Sequence, residues 1–81
     1  MTLTEKVREV MRREHKSART EEAYVHCTRQ FVAFHGRRHP REMGPPEVVA
    51  FLNHLASVRE VSASTQNQAL CAIIYLYKRV L

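Results

Sequence analysis

The chain contains no aspartate; all eight acidic residues are glutamates. Aspartate is the carboxylate most used to hold paired metal ions in phosphate chemistry, so a two-metal nuclease centre is not expected. Glycine is nearly absent too, with two in 81 residues, and no Gly-rich phosphate loop can be drawn. With 44% hydrophobic and 26% charged residues, so little glycine argues for a compact helical domain rather than a disordered tail or a sheet. No apolar run reaches the ~20 residues that span a bilayer, which speaks against a membrane partner. The opening stretch MTLTEKVREVMRREH is charged throughout and has no apolar signal core, so a cytoplasmic location is expected. Cys27 and Cys71 are far apart and read as free thiols of a reducing compartment rather than a disulfide. No Cys-x2-Cys occurs and no helix carries two histidines a turn apart, so neither metal nor cofactor is expected. No Ser–His–carboxylate set stands out, and Tyr75 and Tyr77 lack a cluster of activating bases. The chain by itself is therefore not expected to be a catalyst.

What is present is positive charge, unevenly spread. The net charge is +5, from 13 Lys and Arg against 8 Glu. Residues 16–41 hold six basic and two acidic groups, whereas residues 42–60 hold one basic and three acidic. Residues 61–81 carry two basic groups and no acid. A basic balance of this kind points to a polyanion as partner.

Apolar spacing predicts four helices in one domain with a small core. Leu3, Val7, Val10 and Met11 mark a first helix over about Leu3–His15. Tyr24, Cys27, Phe31 and Phe34 mark a second over Ala18–His35, stopped by Gly36. GRRHPREMGPP is a loop, and Pro45 or Pro46 suits the first turn of a third helix running to Ser57. Val48, Phe51, Leu52 and Leu55 give its inner face. Val58–Val61 form a short connection. The fourth helix covers Ala63–Val80, with Leu70, Ile73, Ile74, Tyr77 and Leu81 as its stripe. The expected fold is all-α, a compact four-helix bundle.

The second and fourth helices open alike, with Ser-Ala-x-Thr at Ser17 and again at Ser62. A helix start leaves backbone N–H groups unpartnered, and a serine cap satisfies one of them. Hydroxyls, free N–H groups and the positive end of the helix dipole together suit a phosphate oxygen. Simple capping is the competing reading. Two features favour a ligand: the fourth helix stays polar through Gln66, Asn67 and Gln68, and the other start is flanked by Lys16 and Arg19. The two amino ends are thus expected to face one polyanion jointly. In the loop, Arg37 and Arg38 suit phosphate contact through their guanidinium forks, while Arg41 fits contact and plain solvation equally.

These segments resemble a known family. S-x-x-T-x-x-x-Y from Ser17, F-x-x-F-H-G from Phe31, H-P-x-E-M from His39 and S-x-S-T-Q-N-Q-A-L from Ser62 follow in order. The chain looks like the N-terminal core-binding domain of tyrosine recombinases, the phage-integrase family, and most closely its integron-integrase branch. The resemblance covers nearly the whole chain, most clearly Val7 to Leu81. It implies a SAM-like bundle forming one half of a clamp on double-stranded DNA, with the second and fourth helices across the duplex. It also implies a separate C-terminal catalytic domain of the same polypeptide, absent here, and other recombinase protomers as partners. Residues 1–81 would then be a single core-binding domain. Carried onto this chain, the contact residues are Lys16, Ser17, Arg19, Thr20, Tyr24, Ser62, Ser64, Thr65, Asn67 and Gln68, beside Arg37, Arg38 and Arg41. Tyr24 is read as core first and contact second. The rival reading is a helical protein–protein interaction domain that binds no DNA.

Overall fold

The computed structural model describes residues 2–57 and 61–81. Among these residues the chain forms four α-helices: α1 (Leu3–Arg13), α2 (Ala18–Phe34), α3 (Pro45–Ser57) and α4 (Ala63–Tyr75). A 3-10 turn (Pro40–Glu42) precedes α3, and a π-helical segment (Leu76–Val80) continues α4. The all-α bundle read from the sequence is the observed one. Of the expected connection at Val58–Val61, only Val61 lies within the described residues.

Thr2 opens α1 with a reciprocal cap: its hydroxyl accepts from Glu5 N–H, and the Glu5 carboxylate accepts from Thr2 N–H. The helix stops at Arg13, two residues short of the expected His15. His15 takes a left-handed conformation (φ 60°), which lets its N–H reach Arg12 C=O at 3.1 Å and Lys16 N–H reach Met11 C=O at 2.9 Å. That pair of bonds closes the helix end and turns the chain straight into the Ser17 cap. The end of α2 is built the same way. Gly36 (φ 69°) donates to Ala33 C=O and Arg37 to Val32 C=O, so the glycine stop fell where the sequence placed it.

Glu21 fastens α1 to α2. It is buried in the first turns of α2, yet its carboxylate lies 3.2 Å from Arg8 and 3.3 Å from Arg12 of α1. Arg8 also reaches Glu22 at 2.5 Å. The loop after α2 is folded down rather than free: Pro40 and Met43 are buried, and the Tyr77 hydroxyl donates to Pro40 C=O at 2.7 Å.

Two apolar clusters fill the bundle. One joins α2, α3 and α4 through Phe31, Phe51, Leu55 and Ile73. The other joins α1 and α2 to the end of α4 through Val7, Met11, Val25, Leu76 and Val80. Tyr24 packs against both. Phe31 and Phe51 meet edge-on, with centroids 5.5 Å apart.

The expected stripe of α4 is corrected here. Ala69 and Ala72 are buried, while Leu70 is half-buried and Ile74 is 44% exposed. The cause is close approach: the Cys27 thiol reaches Ala69 C=O at 3.6 Å, and only small side chains fit between helices that near. Leu76 and Val80 then turn into the second cluster as the hydrogen bonding widens, with Leu81 N–H bonding Leu76 C=O. Phe34, expected in the core, is 39% exposed and packs on Phe51 and His54 at the end of α2. Both cysteines are free, Cys27 buried and Cys71 exposed. Burial pushes the Cys27 thiol up to about 11, so it stays protonated.

Candidate nucleic-acid interface

The sequence echo is also a structural echo. Ser17 Oγ accepts from Thr20 N–H at 3.1 Å and donates to Thr20 Oγ1 at 2.9 Å. Ser62 Oγ accepts from Thr65 N–H at 3.2 Å and donates to Thr65 Oγ1 at 3.0 Å. Each serine satisfies one orphan N–H and aligns a second hydroxyl beside it.

The two openings do not form one cradle. Tyr75 OH donates to a Glu14 carboxylate oxygen at 2.7 Å, and Arg79 pairs with the same carboxylate. The turn from α1 to α2, and Ser17 with it, therefore lies beside the far end of α4. Ser62 begins that same helix, thirteen residues of α4 away. At 1.5 Å per residue the separation is on the order of 20 Å, wider than the ~12 Å major groove, so the ends can meet only different phosphates.

What the fold brings together is the crossing of α2 over α4 at Cys27 and Ala69. A cleft of about 200 Å³ lies there, with Leu55 and Val61 within it and His26, Gln30, Thr65 and Gln68 around it. Lys16, Ser17, Arg19, Ser62, Ser64, Thr65, Asn67 and Gln68 are exposed. Thr20 and Tyr24 are half-buried. Tyr24 lays its ring against Tyr75, with centroids 5.5 Å apart. Arg37, Arg38 and Arg41 are exposed, and Arg38 donates to Glu42 C=O at 2.8 Å, which makes it part of the loop's own bonding. Gln66 turns inward and donates to Leu52 C=O at 3.2 Å. Part of the polar run in α4 is thus structural.

The described arginines, with Lys16, sort into two groups. Arg8, Arg12, Arg13 and Arg79 pair with glutamates. Lys16, Arg19, Arg29, Arg37, Arg38 and Arg41 form no ion pair among the described residues. The uneven charge of the sequence is therefore not cancelled by folding. Tyr75 and Tyr77 are both occupied: burial, then the bond to Glu14, pushes Tyr75 up to about 12, and burial also raises Tyr77. Among the described residues no three His, Cys or Glu gather as metal ligands, and no helix is long and apolar enough to cross a membrane.

His26 and Gln30 were missed by the sequence reading. Both sit one turn from Ala23 or Cys27 on α2, so the signal was the polar edge beside the core stripe. Glu14 was passed over because its partners Tyr75 and Arg79 are more than sixty residues away.

The fold is a small all-α bundle whose cations between residues 16 and 41 form no ion pair among the described residues, with a cleft where α2 and α4 cross. The chain belongs to the phage integrase N-terminal SAM-like domain family, whose pattern matches residues 3–81. It is 52% identical over 77 residues to an Integrase/recombinase of Escherichia coli and equally to one of Pseudomonas aeruginosa. Each match covers 95% of this chain and 23% of the relative, so the chain spans under a quarter of the length of these curated relatives.

Proposed function

We propose that this domain is the core-binding module of a site-specific tyrosine recombinase and grips duplex DNA. The observation that carries the proposal is the split among the cations. The arginines of α1 are neutralised by glutamates, whereas six basic residues between 16 and 41 form no ion pair among the described residues. Unpaired arginines and lysines hold phosphates through charge and guanidinium geometry. The crossing of α2 and α4 adds side chains able to bond base edges: Gln30 and Gln68 can each pair with adenine and His26 lines the same cleft, while Asn67, exposed on α4, has the same capacity. Ser17, Ser62 and their threonines contribute at two separate phosphates.

In this reading residues 1–81 form one domain. The catalytic arginines, lysine, histidines and tyrosine belong to a C-terminal domain of the parent polypeptide, and other protomers assemble with it on the DNA. The relatives' greater length supports that division. The module supplies grip and orientation, works in the cytoplasm and needs no metal or cofactor.

A second reading, docking on a protein, has one observation in its favour. An apolar groove lies between α3 and α4, with Val49 55% and Ile74 44% exposed beside it. Titration of the labelled chain with duplex DNA separates the two. Binding that weakens steeply with salt supports the DNA module, and absence of binding at low salt leaves the docking reading.

A further inference from the structure

The end of α4 departs from α geometry in its last turn. Leu81 N–H bonds Leu76 C=O at 3.0 Å, where an α-helix would pair it with Tyr77 C=O. Wide turns of this kind are rare, occur mostly as single turns within α-helices, and gather at functional places. Two features of the surroundings match this one. Val80 is buried in the cluster of Val7, Val10 and Met11. The Glu14 carboxylate takes the Tyr75 hydroxyl on one oxygen at 2.7 Å and Arg79 Nε on the other at 2.9 Å.

Winding connects these observations. In an α-helix, residues seven apart lie about 20° from one another around the axis. An α register would therefore set Val80 below Ile73, which belongs to the α2–α3–α4 cluster. A wider turn advances each residue by less, so Val80 lags behind that line and falls into the α1 cluster instead. The same lag changes Arg79. Four α-helical residues leave an offset of about 40°, and the wider turn reduces it, bringing Arg79 more nearly under Tyr75. Both side chains then reach one carboxylate. Glu14 lies at the α1–α2 turn, directly before the left-handed His15 and the Ser17 cap. The winding of the last turn is thus tied to the position of that distant turn.

We propose that the end of α4 is a two-register switch, π-wound while Glu14 holds Tyr75 and Arg79, and α-wound once that carboxylate is withdrawn. Displacement of the α1–α2 turn is the input. The output is a rotation of Lys78 and Arg79 about the helix axis and a new direction of the chain at Leu81. Each register is a discrete hydrogen-bonding pattern, so the element has two states that the turn biases. The test reads those patterns directly, as scalar couplings across hydrogen bonds in the isotopically labelled chain. Wild type is compared with Glu14→Ala, with Arg79→Ala at an exposed position, and with Arg13→Ala, which breaks the Glu9 pair elsewhere on α1. Unchanged amide signals from Phe31 and Phe51 establish that each variant is folded. Wild type and Arg13→Ala should couple Leu81 N–H to Leu76 C=O. In Glu14→Ala and Arg79→Ala that coupling should be lost and replaced by one to Tyr77 C=O, with amide shifts over residues 76–81. If both latch variants keep the Leu76 coupling, Glu14 does not set the register and the switch is overturned. A Tyr77 coupling in wild type overturns it too, as does loss of both couplings in the variants, which is fraying rather than rewinding.

Discussion

Glu14, at the end of α1, accepts a hydrogen bond from the Tyr75 hydroxyl at 2.7 Å, across sixty-one residues of chain. Arg79 pairs with the same carboxylate. This latch ties the first helix to the last and places Ser17 at the far end of α4 from Ser62. It also makes stability depend on pH at both extremes.

On the acid side, the Arg79 bond and then the Tyr75 bond hold the Glu14 carboxyl below its ordinary 4.5. A depressed carboxyl stabilises the fold above the unfolded value and loses that contribution as pH falls through the folded value. Glu14→Gln is expected to melt lower than wild type at pH 7 and to converge with it below about pH 4. On the alkaline side, Tyr75 is raised from 10.0 to about 12, so its contribution is present below pH 10 and lost as pH rises toward 12. Tyr75→Phe should flatten that limb. Melting temperature against pH for the three proteins checks both, and parallel curves would contradict the latch.

Capping and phosphate contact at Ser62 can be separated. Ser62→Ala should cost about 1 kcal/mol, a fall of roughly 4–8 °C in Tm for a domain of this size. Ser62→Asp keeps an acceptor for Thr65 N–H and should melt near wild type, yet it sets a negative charge against the backbone and should weaken DNA binding. If Ser62→Asp binds as wild type does, this opening is a cap alone.

Two neighbouring glutamines should behave oppositely. Gln66→Ala removes the partner of Leu52 C=O and should cost about 0.5–1.5 kcal/mol of stability with DNA preference unchanged. Gln68→Ala should leave melting unchanged and alter preference between sequences. Chemical denaturation paired with binding to a panel of duplexes reads both effects.

The core assignment is tested by a pair of substitutions on residues that the sequence treats alike. Phe31 is fully buried, so Phe31→Ala should cost about 3–5 kcal/mol. Ile74→Ala, on the exposed edge of the groove, should fall within about 1 kcal/mol of wild type. Equal losses would restore Ile74 to the core.

Helix number, order and caps were legible because they are local. Serine before an apolar periodic run, paired prolines at the start of α3 and Gly36 after α2 each act within one turn of chain. Facing was less legible where helices approach closely. Nothing in the spacing of α4 says that Ala69 and Ala72, rather than Leu70 and Ile74, are buried; the contact of Ala69 with Cys27 shows why. The same limit applied to the interface. The sequence marked both openings by their hydroxyls, but the distance between them depends on the Glu14 latch. Which cations stay unpaired likewise depends on the α1–α2 clamp at Glu21.

The most direct test of the account is a titration of the isotopically labelled chain with duplex DNA, followed amide by amide. The largest shifts should map to His26, Gln30, Ser64, Thr65 and Gln68, around the crossing of α2 and α4, and to Arg19 at the start of α2, with the exposed face of α3 near Val49 unchanged. Shifts confined to α3, or none at low salt, would contradict it.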